Sequence, residues 1–210
     1  VGFVEDILCD RAFIEERKDN AQELATLEDI AMIGVITPHL LANVAAASAL
    51  ARSFGIPAEA VKLGIREFRL DRHRIEVVLE HDEITWIDDS KATNPHAAAA
   101  SLASFDSIVW VVGGLLKGVN VAPLVAKFAP RLRGAVVIGK DRELVLEALR
   151  AEAPSVPVIE ITTDDNDEVM PQVASSALAF AQAGDVVLLA PAAASMDQFK
   201  DYADRGFRFA

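Results

Sequence analysis

The stretch SIVWVVGG at residues 107–114 decides how the rest of the chain is read. Ile108, Val109, Trp110, Val111 and Val112 follow one another without a polar break and stop at two glycines. A strand with one wet face alternates apolar and polar residues, whereas a continuous run points to a strand buried on both faces, as in a parallel sheet. The amphipathic run VAPLVAKFAPRL, residues 121–132, follows it. The same succession then recurs: GAVVIGK (134–140) before RELVLEALRAEA (142–153), and VPVIEIT (156–162) before DEVMPQVASSALAFAQA (167–183). Finally DVVLLAP (185–191) precedes a last helix expected to begin near Met196. Strands alternating with helices predict an α/β fold, a Rossmann-like, mostly parallel sheet with helices on both faces.

Working outward, RIEVVLE (74–80) and EITWIDD (83–89) meet at His81-Asp82-Glu83, which reads as a hairpin. Before residue 70 the pattern changes. LLANVAAASALARSF (40–54) is apolar all round and predicts a buried helix, closed by Gly55 and Pro57. PAEAVKLGIREF (57–68) has the period of a second, shorter helix. VGFVEDILCD (1–10) reads as a strand and turn, and NAQELATLEDI (20–30) as a polar connection. A boundary is therefore expected between residues 68 and 71, giving domains 1–69 and 70–210.

The chain has 210 residues and a formal net charge of -12, which disfavours a nucleic-acid-binding role, since phosphates call for a basic face. Cys9 stands alone, so no internal disulfide and no cysteine-built metal site is expected. No apolar run is long enough for a bilayer span and no signal peptide is visible. A cytoplasmic protein is the simplest reading. The start at Val1 rather than at Met suggests a fragment.

In open parallel sheets, ligands bind outside the carboxyl ends of the strands. Those ends carry Asp88-Asp89-Ser90-Lys91, Gly113-Gly114 with Lys117, Gly139-Lys140-Asp141, Thr162-Thr163, and the turn holding Pro191 and Ser195. Lysines beside glycines and N–H groups at helix starts suit a small anion. Asn94 and Pro95 read as the N-cap and first residue of a helix, which leaves Asp88, Asp89 and Lys91 without a structural reason. The plain alternative is a surface turn with a weak local ion pair. GGLLKG (113–118) is neither a Walker A loop nor G-x-G-x-x-G. Ser195 lacks a G-x-S-x-G elbow, and the histidines show no metal spacing. Asn43, inside the apolar helix, reads as a satisfied core amide or a ligand contact, and His39 as a cap.

HRIEVV (73–78), WIDDSKATN (86–94), GGLLKG (113–118) and APAAASMDQFKDYADRGFRF (190–209) resemble, in order and spacing, the C-terminal part of the Mur ligases, in particular the D-glutamate-adding branch. The resemblance covers nearly the whole chain, with residues 1–69 similar to the end of the central ATPase domain. It implies an ATP- and Mg2+-dependent amide ligase in peptidoglycan synthesis, joining D-glutamate to UDP-N-acetylmuramoyl-L-alanine through an acyl phosphate. It also implies a monomer with small-molecule partners only, no nucleic acid and no membrane. Carried over residue by residue, it assigns Asn43 to the adenine, Arg74 and Asp89 to the ribose and phosphates, and Lys91 to the reaction centre. Thr93, Lys117, Ser195, Met196 through its backbone, and Tyr202 fall on D-glutamate-holding positions. The phosphate-binding loop and the metal ligands of that family have no counterpart in these residues. The family's His-Asn pair is His39-Leu40 here, and Leu115-Leu116 replace a turn that usually holds a polar residue. Another amide ligase of the same superfamily, such as a folylpolyglutamate synthetase, and a non-catalytic Rossmann-like binding module remain as alternatives.

Overall fold

A computed structural model describes residues 1–163 and 165–210. The chain divides into two units, Val1–Asp71 and Arg72–Ala210.

The first unit opens with a three-stranded antiparallel sheet of β1 (Gly2–Val4), β2 (Ile7–Asp10) and β3 (Gln22–Thr26). Helices α1 (Leu27–Ala31), α2 (Pro38–Ser53) and α3 (Ala58–Glu67) follow. Leu8 and Leu24 from the sheet pack with Ile30, Leu40, Val44, Val61 and Ile65 from the helices. The expected polar connection is therefore part strand, part helix. Thr26 accepts from the Asp29 amide while Asp29 accepts from the Thr26 amide, a capping box that starts α1 within a polar sequence. The second expectation overturned is the buried helix. Only Leu40, Val44 and Ser48 of α2 are buried, whereas Leu50 is 66% and Phe54 86% exposed. His39 is not the cap either: Thr37 is, and His39 Nδ1 lies 3.2 Å from its hydroxyl.

The second unit holds a six-stranded sheet. The hairpin β4 (Glu76–His81) and β5 (Ile84–Asp88) forms as the sequence suggested. Then come α4 (Pro95–Leu102), β6 (Ile108–Gly113), α5 (Ala122–Phe128), β7 (Leu132–Ile138) and α6 (Arg142–Glu152). The unit closes with β8 (Val158–Glu160), α7 (Asn166–Leu178), β9 (Val186–Leu189) and α8 (Tyr202–Phe209). The strand order is β4-β5-β9-β6-β7-β8, and every pair except β4/β5 is parallel. All six positions of β6 are buried, as its unbroken apolar run requires. Trp110 within it is fully enclosed, and its ring N–H donates to the Ala190 carbonyl at 2.8 Å.

Helices α4, α5 and α6 contact one another in sequence, and α7 contacts α8. Val109, Val111, Val136 and Val187 form the apolar face under α7, together with Met170 and Val173 of that helix. The chain steps outward from β5 through β6, β7 and β8, then returns to insert β9 between β5 and β6. The connections leaving β5 and β6 run one way across the sheet and the one entering β9 runs back, and a reversal of this kind is where open parallel sheets form a ligand crevice at the carboxyl ends. The last helix begins at Tyr202 rather than near Met196. Its N-cap Asp201 accepts from the Asp204 amide, and residues 190–200, between β9 and this helix, form an irregular turn.

Candidate active site

The turn after β5 is buried, not a surface loop. Asp88, Asp89 and Ser90 are 0%, 7% and 0% exposed. Asp88 Oδ2 lies 2.6 Å from His73 Nδ1, and Oδ1 accepts from the Ser90 amide at 2.8 Å. Gly206 of α8 lies against this pair: a Cβ there would fall 2.2 Å from His73 Nδ1 and 2.5 Å from Asp88 Oδ2. Burial pushes the Asp88 carboxyl up, against the opposing pull of His73 and the Ser90 amide. Asp89 accepts from the Ser101 hydroxyl of α4 and from the Ile75 amide, and burial pushes its carboxyl up to about 6 against the pull of Arg74.

The folded-state value for Asp89 lies above the 3.8 of an ordinary carboxyl, so the folded chain holds an extra proton between roughly pH 4 and pH 6. Stability contributed by this group therefore falls as pH rises through that window and levels off above it. Asp89→Asn should remove this slope. Relative to the wild-type chain, the variant should gain about 2–3 kcal/mol on going from pH 4 to pH 7. Urea unfolding of both proteins at the two pH values checks this, and parallel pH profiles would refute it.

Ser90 joins two other elements. Its hydroxyl donates to the Tyr202 carbonyl at 2.7 Å and accepts from Arg205 Nε at 2.9 Å. Arg205 is fully buried. It also donates to the Ser90 carbonyl at 2.8 Å and to the Ala193 carbonyl at 3.2 Å. Desolvation lowers its guanidinium to about 10, opposed by the charges of Asp197 and Asp88. The Lys91 ammonium stands 5.5 Å from the Tyr202 ring centroid.

The turns after β6, β7 and β9 are stitched together. Leu115 and Ala194 exchange backbone hydrogen bonds of 2.9 and 3.0 Å. The Leu116 amide donates to Asp141 and the Lys140 amide to Asp197, each at 2.7 Å. The turn bearing Lys117 thus runs beside the one bearing Ser195 and Met196. Lys117 is exposed with φ 53°, Ser195 is buried, and Met196 is 63% exposed. Thr93 is half-buried just before the Asn94 cap, which accepts from the Ala97 amide at 3.0 Å. The fold therefore gathers Arg74, Asp89, Lys91, Thr93, Lys117, Ser195, Met196 and Tyr202 on one edge of the second unit. Asn43 lies in the first unit. It is exposed, so it needs no core partner, and it lines an apolar cleft of about 440 Å³ with Leu40, Val44, Val61 and Phe68.

Mg2+ has a poor match among these residues. His73, Glu76 and Asp88 bring ligand atoms within 4.8 Å of one another. Both Asp88 oxygens are already engaged, however, and Glu76 accepts from Arg72 at 3.1 Å and from the His73 amide at 2.9 Å. Mg2+ prefers oxygen ligands in near-octahedral array, several of them water, and this occupied, nitrogen-bearing trio does not offer that. Sequence reasoning missed His73, Ser90, Ser101 and Arg205 as parts of the site. The one signal for Arg205 was its place in the run quoted above.

Residues 73–193 match the family described as Mur ligase, glutamate ligase domain. The chain belongs to the Mur ligase family. Among its curated relatives are two proteins named UDP-N-acetylmuramoylalanine–D-glutamate ligase. The one from Leifsonia xyli subsp. xyli is 54% identical over 99% of this chain and 40% of its own length. The one from Streptomyces avermitilis is 55% identical over 100% of this chain and 44% of its own length. The chain thus spans less than half of these Mur ligases. Two solved structures share the fold at lower identity. One is the UDP-N-acetylmuramate-alanine ligase MurC of Thermotoga maritima, with a TM-score of 0.58 and 19% identity over 83% of this chain and 37% of that one. The other is MurF of Acinetobacter baumannii, with a TM-score of 0.51 and 20% identity over 72% of this chain and 34% of that one. No helix among the described residues is long and apolar enough to cross a membrane.

Proposed function

We propose that the second unit is the amino-acid-binding part of an ATP-dependent ligase that joins D-glutamate to UDP-N-acetylmuramoyl-L-alanine. The observation that carries this reading is the backbone bridge between Leu115 and Ala194. It sets a lysine turn beside a serine turn on the strand edge that also bears Lys91 and Thr93. D-Glutamate brings two carboxylates, and an ammonium with hydroxyl donors is the complementary set. Lys117 supplies charge, while Thr93 and Ser195 supply hydroxyl hydrogens. The Met196 backbone and Tyr202 close the pocket. Arg74 and Asp89 serve the nucleotide side, with Lys91 between the two sides. Residues 1–71, including Asn43 at the adenine, are read as the end of the ATPase domain.

In this reading ATP first phosphorylates the alanine carboxylate. The free amine of D-glutamate then attacks the acyl carbon, an amide bond forms, and inorganic phosphate leaves. The residues of this chain hold the amine donor in place and offset the negative charge near the reacting carbonyl. No metal-held step is assigned to them. A monomeric, cytoplasmic enzyme completes the proposal.

The test is steady-state kinetics of the full-length ligase with each substrate varied in turn. Lys117→Ala should weaken D-glutamate use by about 1.5–3 kcal/mol, roughly ten- to a hundredfold, the usual worth of a hydrogen bond to a charged partner. The Michaelis constant for ATP should stay within about twofold. Asp89→Ala should show the reverse selectivity. An effect of Lys117→Ala confined to ATP would sink the assignment, and equal use of L-glutamate would point to a different amide ligase.

A further inference from the structure

The proposed amino-acid site is made of turns that come from distant parts of the sequence, so something must hold them in register. Four polar contacts do so through one buried pair. Arg205 donates from Nε to the Ser90 hydroxyl, from one terminal nitrogen to the Ser90 carbonyl and from the other to the Ala193 carbonyl. The Ser90 hydroxyl passes its own hydrogen to the carbonyl of Tyr202. Ser90 lies between Asp89 and Lys91, Ala193 lies two residues before Ser195, and Tyr202 opens α8. One guanidinium therefore spans the turn after β5 and the turn after β9, and one hydroxyl links both to the last helix. A direct backbone contact completes the link, with the Ala192 amide donating to the Ala92 carbonyl at 3.0 Å. Ala192 carries φ 57°, a conformation that L residues adopt only when the surroundings enforce it.

We infer that Ser90 and Arg205 are positioning residues that set the spacing of the Lys91–Thr93 turn from the Ser195–Met196 turn, and so the affinity for the amino-acid substrate. The inference rests on the proposed function above. Both side chains are fully buried and act through the residues they hold. The geometry of the guanidinium matters as well as its charge, because three donors point in three fixed directions, which a lysine ammonium cannot reproduce.

The experiment compares Ser90→Ala, Arg205→Lys and Lys117→Ala in the full-length ligase, with two readouts. In Ser90→Ala the Michaelis constant for D-glutamate should rise at least fivefold, while that for ATP stays within twofold. Hydrogen exchange at the Ala192 amide should quicken at least tenfold, with the amides of β6 and β7 unchanged. Arg205→Lys should behave in the same direction despite keeping the charge. An unchanged Ala192 amide in Ser90→Ala overturns the clamp. So does a quickened amide with an unchanged D-glutamate constant, provided Lys117→Ala raises that constant. A matched rise in both Michaelis constants together with faster exchange throughout the sheet also overturns it, since general loosening would explain everything. Should Ser90→Ala fail to fold, Arg205→Lys decides by the same criteria. If Lys117→Ala leaves the D-glutamate constant unmoved, the reading of the site fails, and the exchange result still judges the clamp.

Discussion

Arg205→Met should destabilise the second unit by about 3–5 kcal/mol. Methionine roughly fills the volume, so a cavity is not the main loss. The loss comes from the acceptors left behind: the carbonyls of Ser90 and Ala193 and the hydroxyl of Ser90 would stay buried without a donor. Each such group costs about 1–3 kcal/mol. Asp88 and Asp197 would also lose a favourable charge, since both stabilise the guanidinium. Relief from burying a cation offsets part of this, which holds the figure below the sum of the parts. Chemical denaturation of the chain, followed by Trp86 and Trp110 fluorescence, measures it. A change below about 1 kcal/mol would mean that water reaches these carbonyls in the variant.

Gly139→Ala should have an effect of similar size for a different reason. A Cβ on Gly139 would sit 2.3 Å from the Cα and N of Gly114, both backbone atoms of a neighbouring strand end. The turns after β6 and β7 would have to separate, taking the Leu116–Asp141 and Lys140–Asp197 hydrogen bonds with them. Gly184 provides the control. It shares the same φ of 89°, but a Cβ there meets nothing within 4 Å. Gly184→Ala should therefore cost only the left-handed backbone strain, about 1–2 kcal/mol. Gly139→Ala should exceed that by at least about 2 kcal/mol, because backbone cannot move aside as a side chain can. Equal losses in the two variants would show that the dihedral angle, not the crowding, sets both.

The sheet was legible because its strands are enclosed on both faces, so their apolar character survives as contiguous runs such as the one in β6. The hairpin and the Asn94 cap were legible for a similar reason: their causes lie within a few residues. Strand β3 and helix α1 were not, because a strand with exposed Gln22 and Glu23 leaves a weak apolar signal and the capping box went unread. The exposure of α2 was invisible, since a helix with apolar residues on every side reads as buried and its pattern does not mark which side is covered. Residues of the site that meet across the sequence left the least trace. Asp88 and His73 are 15 positions apart, and Ser90 and Arg205 are 115. No periodicity encodes such a meeting. The resemblance supplied the residues that would face a ligand, whereas the residues that hold them in place came from the structure.

Strand β9 lies inside the sheet yet is made after the other five described strands of that sheet. Strands β5 and β6 lie on either side of it and do not pair with each other. While a ribosome is still making residues before 186, these two strands have open edges facing an empty slot. The hairpin on one side and the β6-β7-β8 block on the other can form early, but they cannot join. Such long-range closure is slow, and open strand edges invite pairing with other chains meanwhile. A protein truncated before Val186 should therefore aggregate instead of forming a smaller version of the domain. The edge proposed to receive ligand should appear in one late step, when β9 slides into place and brings the residues that follow it.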